Sequence, residues 1–344
     1  MRVLIVGAGA IGILMGHRLE RAGHEVTFLG RPAVRDAAAR NGLRVIDQAG
    51  AHYLSSLVVT DVGQLSHAPH IIIITVKAHD TAGAAAQIAP LASDHTPILL
   101  IQNGVGGEEA GVEMLPSSPW FGAVTTLVAD RLESTLVQQS KAKASLVMAP
   151  ICNVEDTAQM SRLFEGTGFD TVRVCPSHDA MKWSKLLLNI LGNAVPAIVD
   201  MSPAATFANT ELFAVERAAY LETLAVMQAR DIKPIPLPGY PVPMLVWAMR
   251  RLPAGIARTM LARLIVGGRG GKMPSLHKDL TSRRTKSEVQ FLNGGIATSG
   301  EKAGVPAPVN QALTDILLSI AAGDVPWDRY RGDPHALWVD CGMP

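Results

Sequence analysis

The chain has 344 residues, which is more than one ordinary hydrophobic core organises and predicts two domains of roughly 150–200 residues each. Lys and Arg number 31 against 30 for Asp and Glu, so the net charge of +1 indicates neither a nucleic-acid partner nor an anionic membrane surface. The three cysteines are odd in number and lack metal-ligand spacing, which predicts a reduced, cytoplasmic protein without a metal site. The N-terminal apolar run is too short for a secretory signal, and no stretch reaches the ~18 apolar residues of a membrane-spanning helix.

The first half of the chain alternates between strand-like and helix-like segments. A helical pattern over Ile11–Arg21 separates the first two apolar runs, and the later runs are rich in β-branched residues. Runs that are apolar on both faces are typical of a parallel sheet covered on both sides. The predicted strands are Val3–Val6, Glu25–Leu29, Ile71–Val76, Ile98–Gln102, Phe121–Val128 and Ser145–Met148. The alternation predicts an α/β fold with a Rossmann-like, doubly wound, mainly parallel sheet.

The second half of the chain, from about His178, has helical periodicity and almost no strand pattern. The predicted helices are Met181–Asn193, Thr210–Arg230, Met244–Ile265, Glu288–Ala303 and Val309–Ala322. The change of pattern predicts a dinucleotide-binding domain over residues 1–176 and an all-helical domain over 177–344.

One segment of the second half, residues 234–271, departs from the surrounding pattern. It begins with PIPLPGYPVP, becomes apolar and studded with arginines, and ends in GGRGG. Prolines and glycines at its two ends predict a hinged excursion. Its apolar residues would pack against the domain, cover an active site, form the contact of a homodimer or rest on a membrane surface, and the first of these is the simplest.

A glycine-rich turn follows the first strand in VLIVGAGAIG and leads into an amphipathic helix. In that context a G-x-G-x-x-G pattern predicts a dinucleotide site formed by Gly7, Ala8, Gly9, Ala10, Ile11 and Gly12. Gly7 permits the tight turn, Gly9 lets the backbone approach the pyrophosphate, and Gly12 lets helix and strand pack closely. The helix N-terminus offers free N–H groups to the phosphates.

The end of the second strand indicates which dinucleotide binds. NAD sites usually have a carboxylate here that accepts bonds from the ribose hydroxyls, but this strand ends in FLGRP, with Gly30 and Arg31 at that place. A guanidinium binds a 2′-phosphate through charge-assisted hydrogen bonds, so Arg31 predicts NADP. The alternative is that Arg31 is a solvated loop residue.

Two polar residues follow later strands, at the sheet edge where doubly wound folds bind ligands. Lys77 follows IIIITV and is predicted to meet the ribose or phosphate region of the cofactor. Asn103 follows ILLIQ and is predicted to bond to the nicotinamide, its ribose or the substrate. Each alone is also compatible with an ordinary turn residue.

Three polar residues recur every fourth position in KWSKLLLNILGN, namely Lys185, Asn189 and Asn193. On one continuous helix they would spread over about 80° of a single face. Their neighbours are apolar, so the helix is predicted to be buried, and buried polar groups need partners. Internal hydrogen bonding is the structural alternative, and Gly192 and Pro196 are expected to loosen the helix at this point.

These residue types suit the reduction of a ketone. Hydride addition to the carbonyl carbon places negative charge on oxygen, and Lys185 is predicted to stabilise that charge and deliver the proton. Asn189 and Asn193 offer donors and acceptors to a hydroxylated substrate. Further along, Ser275 can donate to a carboxylate, and Glu288 can pair with Lys185 or accept from a substrate hydroxyl. Glu288 is equally compatible with a first-turn acid of a helix.

The basic residues of this region are expected on a solvated surface. They are Arg269, Lys272, Lys278, Arg283, Arg284 and Lys286.

Taken together, these motifs resemble the ketopantoate reductase (2-dehydropantoate 2-reductase) family over nearly the whole chain. The resemblance rests on GAGAIG, Arg31, VKAHD, QNGVG, the Lys185 ladder, and PSLHKDL followed by SEVQFLNG. It implies NADPH-dependent reduction of 2-dehydropantoate to (R)-pantoate, on the route to pantothenate. It implies that Lys185 is the general acid and Glu288 the active-site glutamate, that Asn189 and Asn193 hold the substrate and Ser275 its carboxylate, and that Lys77 contacts the cofactor and Asn103 the nicotinamide or the substrate.

The chain departs from the family pattern near the expected substrate site. Asn193 is followed by Ala194, Val195 and Pro196 where the family commonly has Asn-Pro-Leu-Thr, and the spacing from Asp279 to Glu288 is one residue longer than usual. The leading hypothesis is therefore a reductase of 2-dehydropantoate or a close analogue. The alternatives are a reductase of another branched 2-oxoacid, an opine-type dehydrogenase, and a non-catalytic NADP-binding protein.

Overall fold

The computed structural model describes residues 1–269, 272–282 and 286–344, and for 264–269 the backbone alone. The chain forms two compact units. The N-terminal unit comprises Met1–Gln102 and Gly107–Met181, and the C-terminal unit comprises Asn103–Gly106 and Lys182–Pro344.

The N-terminal unit contains two sheets. Its strands are β1 Arg2–Val6, β2 Glu25–Leu29, β3 Leu43–Asp47, β4 Gly50–Leu54, β5 Leu57–Val59, β6 Ile71–Ile74, β7 Ile98–Ile101, β8 Trp120–Thr125, β9 Ala129–Glu133, β10 Leu136–Gln139, β11 Ser145–Cys152 and β12 Thr171–Val174. The main sheet has eight strands in the order β12-β11-β8-β7-β6-β1-β2-β5, and only the β8–β11 pair is antiparallel.

The centre of the main sheet shows why it forms. In β1, Val3 and Ile5 pack into one buried cluster and Leu4 and Val6 into another, so both faces of the strand are covered. Continuous apolar strands of this kind are typical of parallel sheets. The chain order reverses around β1, between β2 and β6, which is the topological switch point where such sheets bind ligands.

The second sheet has four strands in the order β4-β3-β10-β9 and was not predicted from the sequence. Its strands are short, and β4 and β9 are largely exposed, so their sequences carry no clear apolar alternation. Its buried side chains, such as Val45 and Val137, join the cluster that covers one face of the main sheet. The packing against that cluster stabilises strands whose own patterns are weak.

The helices of the chain are α1 Ala10–Arg21, α2 Pro32–Asn41, α3 Thr81–Ile88, α4 Glu109–Met114, α5 Ala158–Leu163, α6 His178–Ile190, α7 Ala194–Val199, α8 Pro203–Ala208, α9 Thr210–Ala229, α10 Val242–Arg251, α11 Ala254–Arg269, α12 Ser275–Thr281, α13 Asn293–Lys302, α14 Pro308–Ala322 and α15 Pro334–Asp340. In the described part of the C-terminal unit every regular element is helical. The predicted α/β class, with a Rossmann-like sheet followed by a helical region, is confirmed.

Three predicted helices are interrupted. The segment Met181–Asn193 ends as a helix at Ile190, because Gly192 turns the backbone with a φ of 61°. Met244–Ile265 is two helices, since Pro253 disfavours helical geometry at the residue before it. Glu288–Ala303 is a 3-10 turn over Glu288–Gln290 followed by α13, and the carbonyl of Phe291 instead accepts a hydrogen bond from the Val105 N–H at 2.8 Å.

The excursion over residues 234–271 folds as a tight turn followed by α10 and α11, and its last two residues lie outside the described residues. Helix α10 buries Val242 and Leu245, whereas Met244 and Trp247 are exposed. Among the described residues, no helix combines the length and apolar composition that a membrane crossing requires.

The basic segment from 269 to 286 is only partly described. Lys272, Lys278 and Lys286 are exposed, as predicted. Arg283, Arg284 and the side chain of Arg269 lie outside the described residues.

Candidate active site

The glycine-rich turn lies at the switch point of the main sheet. Gly7 follows β1 with a φ of 106°, in the left-handed region that favours glycine, and its N–H donates to the Leu29 carbonyl at 2.9 Å. A Cβ at Gly12 would overlap the carbonyl oxygen of Gly7, so only glycine lets the helix start so close to the strand. The three glycines thus differ in role, and Gly9 is the one whose side-chain position faces open space.

The N-terminus of α1 fits the phosphates of a dinucleotide. Its N-cap residue, Gly9, makes no side-chain capping bond, and the first turn contains no acidic residue. The N–H groups of Ala10, Ile11 and Gly12 precede the first intrahelical bond, from Ile13 to Gly9, and so lack an intrahelical acceptor. A Cβ at Gly9 would meet no atom within 4 Å, which leaves room beside the turn for a pyrophosphate. Free donors and the positive end of the helix dipole favour an anion there.

Thr75 supports the turn and was missed by the sequence reasoning. It follows β6, and its hydroxyl donates to the carbonyl of Gly7 at 2.8 Å. Val6 pairs with Leu29 and with Ile74, so the three strands end at one level and their following residues meet at one edge. The pairing register, which the sequence does not specify, brings Thr75 to the turn.

Arg31 follows β2 and Lys77 follows β6, the two strands that flank β1, at the same edge of the N-terminal unit. The Arg31 side chain is 83% exposed, and its Nη2 lies 3.5 Å from Oδ2 of Asp80. An exposed pair of this kind contributes about 0–1 kcal/mol, so the guanidinium is readily redirected to a phosphate. Lys77 is half-buried and precedes the 3-10 turn Ala78–Asp80.

Lys185 lies in the middle of α6 in the C-terminal unit. Leu186 and Leu187 beside it are fully buried, whereas Lys185 is half-buried. Its Nζ lies 5.9 Å from the ring centroid of Tyr240, a cation–π contact with the tight turn of the 234–271 excursion. The backbone N–H of Ile235 also donates to the Ser184 hydroxyl at 2.8 Å, so the start of the excursion packs beside the lysine.

Asn189 and Asn103 are joined directly within the C-terminal unit. Asn189 lies one turn after Lys185, and its Nδ2 donates to Oδ1 of Asn103 at 3.2 Å. The turn that carries Asn103 is fixed by Gly104, where a Cβ would overlap the backbone of Phe291. Gly104 therefore permits a close approach between this turn and the backbone of Phe291.

Asn193 does not continue the Lys185 ladder on one helix, because it lies after the end of α6. Its Nδ2 donates to the carbonyl of Asn189 at 3.1 Å, and its Oδ1 accepts from the N–H of Leu276 at 3.4 Å. The break before it is held by Glu216, a buried residue whose carboxylate accepts the N–H of Gly192 at 3.0 Å. Glu216 was not identified from the sequence, since it lies on α9, far along the chain.

Ser275 and Glu288 begin two short helical segments of the C-terminal unit. Ser275 is exposed at the first position of α12, one residue before Leu276. Glu288 is half-buried, and its N–H lies 3.4 Å from Oδ2 of Asp279. The same oxygen accepts from the Ser287 hydroxyl at 3.1 Å. The buried carboxylate of Asp279 thus positions the backbone of Glu288, a relationship that the sequence spacing alone did not reveal.

Two family models match this chain. The model described as ketopantoate reductase PanE/ApbA matches residues 3–152, and the model of the C-terminal part of the same family matches residues 177–321. The 2-dehydropantoate 2-reductase of Archaeoglobus fulgidus is 27% identical over 323 residues, which cover 94% of this chain and 98% of that protein. The enzyme of the same name from Vibrio cholerae is 27% identical over 314 residues, which cover 91% of this chain and 95% of that protein.

Solved structures share the fold. A PanE/ApbA family ketopantoate reductase from Ralstonia eutropha superimposes with a TM-score of 0.79 at 25% identity, covering 94% of this chain and 99% of that one. D-mandelate dehydrogenase with NADH and anilino(oxo)acetate has a TM-score of 0.80 at 19% identity, covering 94% and 100%, and shows likeness of fold alone. The two family matches span most of the sequence and confirm the resemblance. The chain therefore belongs to the ketopantoate reductase family and is an oxidoreductase of the type that acts on a CH–OH group.

Proposed function

We propose that this chain uses NADPH to reduce the ketone of 2-dehydropantoate to the hydroxyl of (R)-pantoate, on the route to pantothenate. The observation that carries the proposal is the half-buried Lys185, which shares a helix face with Asn189, itself bonded to Asn103. A cation beside amide groups suits a hydroxylated 2-oxoacid. The names of the similar proteins from Archaeoglobus and Vibrio support this substrate.

The choice of NADPH rests on the N-terminal unit. The uncapped N-terminus of α1 and the open space beside Gly9 fit the pyrophosphate of a nicotinamide dinucleotide. Arg31, in place of the carboxylate of an NAD site, would bind the 2′-phosphate, with Lys77 beside the ribose or phosphates. The bound, reduced nicotinamide supplies a hydride to the ketone carbon.

The protein's own residues would then stabilise the negative charge that develops on the carbonyl oxygen and supply a proton to it. As hydride adds to the carbon, the carbonyl π electrons move to oxygen, where Lys185 stabilises the negative charge and donates a proton from its ammonium group. Asn103 and Asn189 offer amides to the substrate, the Ser275 hydroxyl donates to its carboxylate, and Glu288 accepts from its hydroxyl. Both side-chain groups of Asn193 are engaged, which favours a positioning role that links α6 to the helix of Ser275.

A second candidate substrate class is another branched 2-oxoacid. The observation that favours it is the run Ala194, Val195 and Pro196, which is apolar and buried where the family pattern has Asn-Pro-Leu-Thr. These residues directly follow Asn193, so a change there would act on the substrate more than on the cofactor.

The test is to mix the purified protein with NADPH and 2-dehydropantoate and to follow the nicotinamide absorbance. We expect oxidation of NADPH and formation of (R)-pantoate. If 2-dehydropantoate is inert while another branched 2-oxoacid is consumed, the proposed substrate is wrong. If no 2-oxoacid, with or without an amine for opine formation, is consumed, a non-catalytic NADP-binding protein is the better interpretation.

A further inference from the structure

A cluster of metal-ligating side chains lies in the N-terminal unit, on α1 and the β3–β4 hairpin. His17 is in the second half of α1, Asp47 ends β3, and His52 lies in β4. One ligand atom from each lies within 4.8 Å of the others, and no other group of three His, Cys, Asp or Glu residues meets that criterion in the described ranges.

The two strands bring Asp47 and His52 together by register. His52 pairs with Val45, which shares a face with Asp47, and the His52 Nε2 lies 2.9 Å from Asp47 Oδ1. The same carboxylate oxygen accepts the Ala49 N–H at 2.7 Å, which fixes its orientation. Helix α1 packs on this face, so the rings of His17 and His52 lie 4.9 Å apart between centroids.

The third member, His17, has an unsatisfied nitrogen. Its side chain is 5% exposed, and its buried Nε2 makes no hydrogen bond with any described residue. Leaving a buried polar atom unbonded costs about 1–3 kcal/mol, and most such atoms in proteins have a partner. A metal ion bonded to this nitrogen would satisfy it.

We propose that His17, His52 and Asp47 bind a divalent transition metal, with Zn²⁺ as the fitting ion. Two imidazoles and a carboxylate are ligands of Zn²⁺, with water completing a tetrahedron. Metal–ligand bonds of about 2.0–2.1 Å place tetrahedral ligand atoms roughly 3.4 Å apart, so the separation of His52 Nε2 and Asp47 Oδ1 has to widen from 2.9 Å and ligand atoms as far apart as 4.8 Å have to approach. His52 can supply that movement because it lies in an edge strand with its side chain 29% exposed.

The ion would tie the β3–β4 hairpin to α1, the helix whose first turn forms the proposed phosphate site. The site lies wholly within the N-terminal unit and is separate from the residues proposed for catalysis. His17 follows Ala10 by seven residues, about 10 Å along the helix, so the metal would not touch a dinucleotide at the helix N-terminus. Its role would be to stabilise the unit.

The test is binding of Co²⁺ and Zn²⁺ to tag-free, EDTA-treated protein. We expect one equivalent of Co²⁺ to give tetrahedral d–d bands without thiolate charge-transfer absorption, and Zn²⁺ to displace it. His52→Gln and the isosteric Asp47→Asn should each weaken Zn²⁺ binding at least tenfold and abolish the rise in Tm that Zn²⁺ causes. The matched control is His95→Gln, which alters an exposed His–Asp pair, with His95 Nε2 3.6 Å from Asp94 Oδ1, and should bind as the parent does.

Circular dichroism decides whether each variant is folded. If His52→Gln is not folded, the comparison with the parent rests on Asp47→Asn. Substoichiometric binding by the parent would overturn the proposal. So would bands with thiolate character, or equal affinity in the parent and in a folded Asp47→Asn variant.

Discussion

The side-chain amide of Asn189 donates a hydrogen bond to the side-chain oxygen of Asn103 at 3.2 Å, although the two residues lie 86 positions apart. It connects α6, one turn after Lys185, to the turn that follows β7. Two amides held against each other present fixed donors and acceptors, which is what recognition of a hydroxylated substrate requires.

This hydrogen bond predicts that Asn103 and Asn189 bind the substrate as a coupled pair. Asn103→Ala and Asn189→Ala should each lower kcat/KM, mainly through KM, and the double variant should lose less than the product of the two single losses. Coupling of about 0.5–1.5 kcal/mol is expected for one such bond. Steady-state kinetics of the four proteins measures it, with Gln311→Ala, an exposed amide bonded to Asp315, as the control. Strictly multiplicative losses would show that the bond is irrelevant to the substrate.

Lys185→Ala is expected to abolish most turnover without weakening the cofactor. Loss of a general acid typically lowers the rate by about 10²–10⁴-fold. NADPH affinity, measured by fluorescence titration, should be unchanged, because the glycine-rich turn is untouched. Lys302→Ala removes an exposed lysine at the end of α13 and should have no effect. If Lys185→Ala turns over like the parent, another group supplies the proton.

Arg31→Ala is expected to weaken NADPH about 10–100-fold and NADH little. The reason is that charge-assisted bonds to the 2′-phosphate contribute about 1.5–3 kcal/mol and NADH lacks that phosphate. Arg35→Ala, one helical turn along α2 and paired with Asp36, is the matched control. Equal losses of both cofactors would mean that Arg31 does not contact the 2′-phosphate. Kd values from titration separate the cases.

Gly9→Ala is expected to impair cofactor binding, whereas Gly12→Ala is expected to lower the stability of the fold. A Cβ at Gly9 meets no atom within 4 Å, so that variant should fold with the parent's Tm but bind NADPH weakly, because the methyl occupies the space proposed for the pyrophosphate. A Cβ at Gly12 overlaps the Gly7 carbonyl, so that variant should lose about 1–3 kcal/mol of stability. Undiminished NADPH binding by Gly9→Ala would contradict a dinucleotide site at this turn.

The ion pairs of Asp200 predict a contribution to stability that disappears in acid. Burial acts to raise the pKa of Asp200, but hydrogen bonds from His277 at 2.8 Å and from Arg331 hold it below its usual value of 3.8. Because the unfolded chain takes up the proton first, this contribution is present above pH 3.8 and is lost as the pH falls through the folded pKa.

Asp200→Asn, which tolerates the local φ of 52°, should therefore reduce the free energy of unfolding at pH 7 and reduce its decline between pH 5 and pH 3. Urea unfolding across that range measures both, with the exposed Asp94→Asn as the control. Parallel pH profiles for parent and Asp200→Asn would show that the pair contributes no stability.

Several features were determined by the sequence alone because their causes are local. Strands β1 and β7 at the centre of the main sheet are apolar on both faces, and β1, β2 and β7 match their predicted positions to within one residue. The glycine-rich turn is defined by Gly7 and Gly12, two positions that only glycine can occupy. Helix α9 is likewise predicted to within one residue, since a polar N-cap at Asn209 and continuous periodicity specify it.

Other features were decided only by tertiary structure, because their causes are contacts between distant residues. The ladder of Lys185, Asn189 and Asn193 is broken where the buried carboxylate of Glu216 accepts the Gly192 N–H. The four-stranded sheet forms from weakly patterned strands because they pack against a shared core. His17 meets Asp47 and His52 through strand register and helix packing. Residue types and periodicity specify which groups are present, whereas the meeting of those groups depends on non-local packing, which no short stretch of the chain encodes.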